Sequence, residues 1–125
     1  MIFGIGTDLV LCSRIERGYN RFQERFVQHL LAPDEMNEFL SQNHPISFLA
    51  KRFAAKEAFS KAVHTGLLHP VSLSNISIQH DHLGQPFFHF APPLAEWLAM
   101  RGITQTHLSL TDQGDFVVAF VVVES

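Results

Sequence analysis

Hydrophobic and polar positions first alternate along this chain and then change period. In MIFGIGTDLV, Ile2, Gly4, Gly6, Asp8 and Val10 share one face of an extended segment, and Phe3, Ile5, Thr7 and Leu9 share the other. This predicts a strand over 1–10 whose first face is left bare by two glycines, so that another element can approach closely. The stretch CSRIERGYNRFQERFVQHLL has helical character, with Ser13 as N-cap and with Gly18 and Asn20 as the places where it would divide. Pro33 followed by acids predicts a short helix start. Residues 46–63 form the strongest helical pattern, stopped near Gly66. Beyond it the period returns to two. ISIQH and PFFHF flank a turn at Gly84, Pro92 to Arg101 reads as a short helix closed by Gly102, and THLSLTD and DFVVAFVVVE flank Gln113-Gly114 as a final hairpin. There is no repeat and no linker. The expectation is one compact α+β domain over 1–125, a largely antiparallel sheet packed on one long helix.

Composition narrows the class. A hydrophobic fraction of 46% in 125 residues is enough for one core, and a chain this short gains from oligomerisation. No apolar run approaches the ~20 residues of a membrane helix, and the first residues lack the features of a signal peptide. Cys12 is alone, so no intramolecular disulfide forms, and a reducing cytoplasm is the simplest setting. The net charge of −3 conceals an asymmetry. Arg14, Arg17, Arg21 and Arg25 make one basic window, Lys51, Arg52, Lys56 and Lys61 another, and only Arg101 lies elsewhere. Basic windows on an acidic protein point to an anionic partner or substrate rather than to nucleic acid.

The chemistry concentrates in RFAAKEAFSKA. At 100° per residue, Ala50, Phe53, Ala54, Glu57 and Lys61 fall on one face, with Phe48, Ala55, Phe59 and Ala62 opposite. Glu57 therefore emerges among small and apolar residues. If that face meets the bare face of the first strand, Asp8 and Glu57 converge. Two such carboxylates repel unless a cation lies between them, and a hard divalent ion such as Mg²⁺ satisfies the pair together with phosphate oxygens. Lys61, one turn on, would reach the same phosphate. The plain alternatives are an i,i+4 pair between Glu57 and Lys61, worth ~0.2–0.5 kcal/mol, and an Asp8 that merely bonds a turn.

Taken together, GIGTDLV at 4–10, FLAKRFAAKEAFSKA at 48–62, Thr65-Gly66, LGQP at 83–86 and HLSLTD at 107–112 resemble the holo-acyl-carrier-protein synthases, the small bacterial-type 4′-phosphopantetheinyl transferases. The resemblance implies that family's fold and its reaction: the phosphopantetheine arm of coenzyme A passes to a serine of apo acyl carrier protein, releasing adenosine 3′,5′-bisphosphate, in fatty acid biosynthesis. It implies Mg²⁺ on Asp8 and Glu57, Lys61 beside the diphosphate, and Ser60, Arg52 and His107 near coenzyme A. It further implies a homotrimer with active sites at subunit interfaces, and a basic first helix in which Arg14, Arg21 and Arg25 dock the acidic carrier. Two positions depart from the family pattern. His64 stands where many members have glycine, and Asp112 where many have histidine, so that histidine's role does not carry over.

Two rival readings use the same residues. A metal-dependent phosphohydrolase would need Asp8, Glu57 and Lys61 but no basic first helix. A non-enzymatic module that binds an acidic protein would need the arginines and leave the carboxylates incidental. The proton acceptor for the serine stays open between Glu57 and an ordered water. His80, His82 and His89 cluster around one hairpin and read as surface residues rather than metal ligands.

Overall fold

A computed structural model describes all 125 residues. Its elements run β1 (Ile2–Leu11), α1 (Cys12–Phe22), α2 (Glu24–Leu30), a 3₁₀ turn (Pro33–Glu35), α3 (Met36–Leu40), α4 (Pro45–Ala62), a second 3₁₀ turn (Leu73–Asn75), β2 (Ile76–His80), β3 (Pro86–Phe90), α5 (Pro92–Met100), β4 (Gln105–Gln113) and β5 (Phe116–Glu124). The strands form two antiparallel sheets instead of one: a three-stranded sheet ordered β1-β5-β4, and the separate β2-β3 hairpin.

α4 is the axis of the molecule. Ala50, Ala54, Ala55, Ala58, Phe59 and Ala62 are all fully buried, because sheet, hairpin and N-terminal helices surround the helix on several sides. The three-stranded sheet meets it with Val117, Ala119, Val121 and Val123 of β5 and with the glycine face of β1. On its other side Phe59 packs against Phe88 and Phe90 of the hairpin, at centroid distances of 5.2 and 4.9 Å.

The contact between β1 and α4 depends on missing side chains. A Cβ built on Gly4 would lie 2.0 Å from the Ala62 carbonyl oxygen, and one on Gly6 1.9 Å from that of Ala58. The close approach expected of the bare face is present. It is made by Ala58 and Ala62 in the second half of α4; Ala62 belongs to this contact and not to the far side of the helix.

Local expectations fail where a distant segment intervenes. The N-terminal helix divides at Gln23, which has φ 53°, and not at Gly18 or Asn20. Gly18 instead makes room for the Phe26 ring, 2.5 Å from where its Cβ would be. Ser13 is not the N-cap, which falls at Leu11. The first turn is capped from outside: Asp115, in the β4–β5 turn, accepts from the Ser13 N–H at 2.9 Å and the Ser13 hydroxyl at 2.7 Å. That turn sits at Gly114-Asp115, one residue later than the sequence pattern places it.

Behind α4 lies a buried ionic network. Lys56, Glu35 and Arg52 are 0%, 2% and 3% exposed. Glu35 Oε1 accepts from Lys56 Nζ at 2.6 Å and from the Ala32 N–H at 2.9 Å. Its Oε2 accepts from Arg52 Nη1 at 2.8 Å and from the Ile78 N–H at 3.0 Å. Burial pushes the Glu35 carboxyl up, but the Lys56 ammonium and these hydrogen bonds outweigh it and hold the group below the usual carboxylate range. No buried polar side-chain atom is left without a partner.

Candidate active site

β1 and α4 bring Asp8, Glu57 and Lys61 together. Asp8 lies on the glycine face of β1 opposite Ala119, two residues beyond the Gly6 contact. The Lys61 ammonium donates to Asp8 Oδ1 at 3.1 Å and to the Thr7 carbonyl at 3.0 Å. Lys61 thus turns toward the strand; its ion pair is with Asp8, and none forms with Glu57. An ammonium has three donors, so one remains after these two bonds. The Asp8 side chain is 16% exposed and that of Lys61 53%, which places the pair at a mouth open to solvent.

Glu57 sits on the adjacent turn of α4. Burial raises its carboxyl pKa first, the Asp8 charge raises it further, and Lys61 and Arg14 pull it back only in part. The Asp8 charge thus bears on Glu57, a conflict that a cation held by both carboxylates would resolve. No group of three or more His, Cys, Asp or Glu side chains assembles anywhere in the chain. The Asp8 and Glu57 carboxylates fit Mg²⁺, which takes one or two carboxylates and completes its shell with waters and phosphate oxygens.

Glu57 also lines an apolar groove of about 320 Å³ with Arg14, Ile15, Leu30, Phe53 and Leu73 among its walls. The groove is bounded by α1, the end of α2, α4 and the second 3₁₀ turn. An apolar channel with an acid and a base at its edge can take a flexible, weakly polar chain ending in an anionic group. The sequence pattern did not show this groove, since Leu30 and Leu73 come from separate segments.

The other predicted positions divide. Arg14, Arg21 and Arg25 are all exposed. They do not share one helix: Arg25 follows the break at Gln23 and lines a separate recess with Phe22, Phe26 and His29. Arg14 belongs to the groove of Glu57. Arg52 and Ser60, both expected near coenzyme A, turn inward instead. The Arg52 guanidinium is buried against Glu35, Glu38, the Ile78 carbonyl and the Phe48 ring. Ser60 is fully buried and donates to the Glu57 carbonyl at 2.7 Å, an i→i−3 bond that turns the hydroxyl into its own helix. His107 lies on the face of the sheet away from α4, paired with Glu124 at 2.6 Å, and does not meet Asp8 within one chain.

That outer sheet face is apolar. Ile5 and Leu9 of β1 and Phe116 and Phe120 of β5 are exposed there. At the helix stop, His64 takes φ 73°, a left-handed conformation that favours glycine, and its ring stacks on Phe3 at 4.9 Å. No helix is long and apolar enough to cross a membrane.

The chain is similar to proteins of known family. A family model described as the 4′-phosphopantetheinyl transferase superfamily matches residues 4–121. A curated holo-(acyl-carrier-protein) synthase from Nitrosomonas europaea is 52% identical over 124 residues, 99% of each chain. The crystal structure of holo-(acyl-carrier-protein) synthase from Neisseria meningitidis is 50% identical, covers 100% of both chains and superposes with a TM-score of 0.99. A Bacillus anthracis holo-(acyl-carrier-protein) synthase in complex with CoA (3′,5′-ADP) is 35% identical, covers 100% of this chain and 98% of its own, and has a TM-score of 0.81.

Proposed function

The chain belongs to the 4′-phosphopantetheinyl transferase superfamily, and from that membership we propose that it transfers the 4′-phosphopantetheine of coenzyme A to a serine of apo acyl carrier protein. The serine Oγ forms a bond to the β-phosphorus of coenzyme A as its O–H bond breaks, the proton passing to Glu57 or to an ordered water. The bond from that phosphorus to the bridging oxygen breaks, and adenosine 3′,5′-bisphosphate leaves. The observation that carries the reading is the Asp8–Lys61 pair held beside Glu57, the carboxylate that lines the apolar groove. Mg²⁺ held by Asp8 and Glu57 would neutralise the diphosphate and polarise the attacked phosphorus. Lys61 offers its remaining donor to the phosphate oxygens as charge builds on the leaving group. The groove receives the pantetheine arm and excludes water along it, which favours the serine over water as nucleophile.

Arg21 and Arg25, with Arg14 nearer the reacting groups, dock the acidic carrier and raise its encounter rate. The apolar outer face of the sheet is covered by further copies of the chain in a homotrimer. His107, which points to that face, then completes a neighbour's site at the subunit interface. The setting is the cytoplasm, and the working unit is the whole span 1–125.

Mass spectrometry of apo acyl carrier protein, incubated with the protein, coenzyme A and Mg²⁺, tests the reading. One added phosphopantetheine per carrier is expected. Hydrolysis of coenzyme A with the carrier unmodified would establish a phosphohydrolase instead.

A further inference from the structure

The buried lysine next to Glu57 has no part in the reaction just described. Lys56 is 0% exposed, and its three donors are spent on Glu35 Oε1 at 2.6 Å, the Leu30 carbonyl at 2.9 Å and the Leu73 carbonyl at 2.9 Å. It therefore has nothing left for a substrate. The two carbonyls, however, belong to Leu30 and Leu73, which line the groove that Glu57 also lines. One wall comes from the end of α2 and the other from the 3₁₀ turn before β2, more than forty positions apart in sequence. Their meeting is not local.

We propose that Lys56 is a positioning residue: its ammonium ties the Leu30 and Leu73 walls of the groove to the turn of α4 that carries Glu57. Stability alone does not call for it. Replacing a buried ion pair by apolar groups of similar volume is often neutral or stabilising. A methionine or leucine would fill the space but could not hold two carbonyls from separate segments about 3 Å from one atom. Glu35 fixes the ammonium in turn, and through the Ala32 and Ile78 N–H groups it holds the chain just beyond Leu30 and the strand that follows Leu73. The groove is thus gripped from behind, at the residue that precedes Glu57.

The inference rests on the transferase reading for one of its two readouts. The test compares Glu35→Gln/Lys56→Met with the wild type, both measured for transfer kinetics and for backbone amide hydrogen exchange. The substitution removes the Lys56 and Glu35 charges together, and the buried Arg52 guanidinium keeps Glu38 as its ionic partner at 3.0 Å. We expect a folded variant whose kcat/KM for coenzyme A falls at least tenfold. Amides in 30–35 and 72–75 should exchange faster while those between β1 and β5 do not. A merely structural role predicts a lower Tm with kcat/KM of the folded protein within twofold of wild type, and that result overturns the proposal. A wild type that fails to transfer overturns the transferase reading alone, and the exchange comparison still decides the role of Lys56. Should the variant not fold, native-state exchange on the wild type decides. The two walls and residues 52–57 must open as one unit, and separate opening of the walls refutes the tie.

Discussion

Gly6 of β1 faces Ala58 of α4 so closely that a Cβ on the glycine would lie 1.9 Å from the Ala58 carbonyl oxygen. Both partners at this contact are backbone, so neither can swing aside. The contact fixes the level at which Asp8 stands beside the turn carrying Glu57 and Lys61. Gly6→Ala should push strand and helix apart, costing about 1–3 kcal/mol of stability by overpacking. Transfer should fall by more than that loss explains, because Asp8 retreats from Glu57. Chemical unfolding and kinetics of the folded fraction check this; normal activity in a destabilised variant would uncouple the contact from the site.

Asp8→Ala and Glu57→Ala should each abolish transfer while the fold survives. Burial and the Asp8 charge both disfavour the ionised Glu57, so its removal relieves the unliganded protein, and removing Asp8 gives up only a solvent-facing pair with Lys61. Circular dichroism should be unchanged, and Mg²⁺-dependent binding of coenzyme A, read by calorimetry, should vanish. Transfer near the wild-type rate at low Mg²⁺ would refute the metal assignment.

The arginines should separate by position. Arg21→Ala/Arg25→Ala removes exposed charges outside the groove and should raise the KM for the carrier roughly 3- to 10-fold, with coenzyme A binding unaltered. Added salt should weaken the wild type more than this variant, since screening removes what the variant already lacks. Arg14→Ala should lower kcat as well, because Arg14 shares the groove with Glu57. Loss of coenzyme A affinity in the double variant would reassign these side chains to the cofactor.

The outer sheet face predicts the assembly. Ile5, Leu9, Phe116 and Phe120 form an exposed apolar surface on a small protein, which favours association. Sedimentation should give a trimer at micromolar concentration, and Leu9→Lys/Phe120→Lys should give monomers with little activity. A fully active monomer would remove any role for the interface.

Acid should loosen the protein through Glu35. Its carboxyl pKa is held below the unfolded value, so its contribution is complete above an unfolded pKa of about 4.3 and is lost as pH falls through the lower folded value. Urea midpoints should therefore decline steeply below about pH 4, where protonation begins to release Lys56 and Arg52. Glu35→Gln should be less stable at neutral pH and flatter in that acid range; an unchanged acid slope would place the titrating group elsewhere.

The elements were legible along the chain because their signals are local. The period-two face of β1, the length of α4, and the turns at Gly84 and Gly102 need only neighbouring residues to be legible. The sequence also put Asp8, Glu57 and Lys61 forward as one set: two glycines and a run of alanines allow strand and helix to touch, and the resemblance of GIGTDLV and FLAKRFAAKEAFSKA to the holo-acyl-carrier-protein synthases joined the three. Tertiary structure decided what depended on partners far along the chain. Asp115 took over the capping expected of Ser13, and the Phe26 ring gave Gly18 a packing role in place of a break. Arg52 and Lys56 looked as available in sequence as Lys61 does, on the same helix and in the same basic window. Only the arrival of Glu35 behind α4 drew those two inside, while β1 left Lys61 at the open mouth. A charge three or four positions along a helix changes face by tens of degrees; whether that face meets a carboxylate in the interior or solvent is a property of the packing, which no local pattern contains.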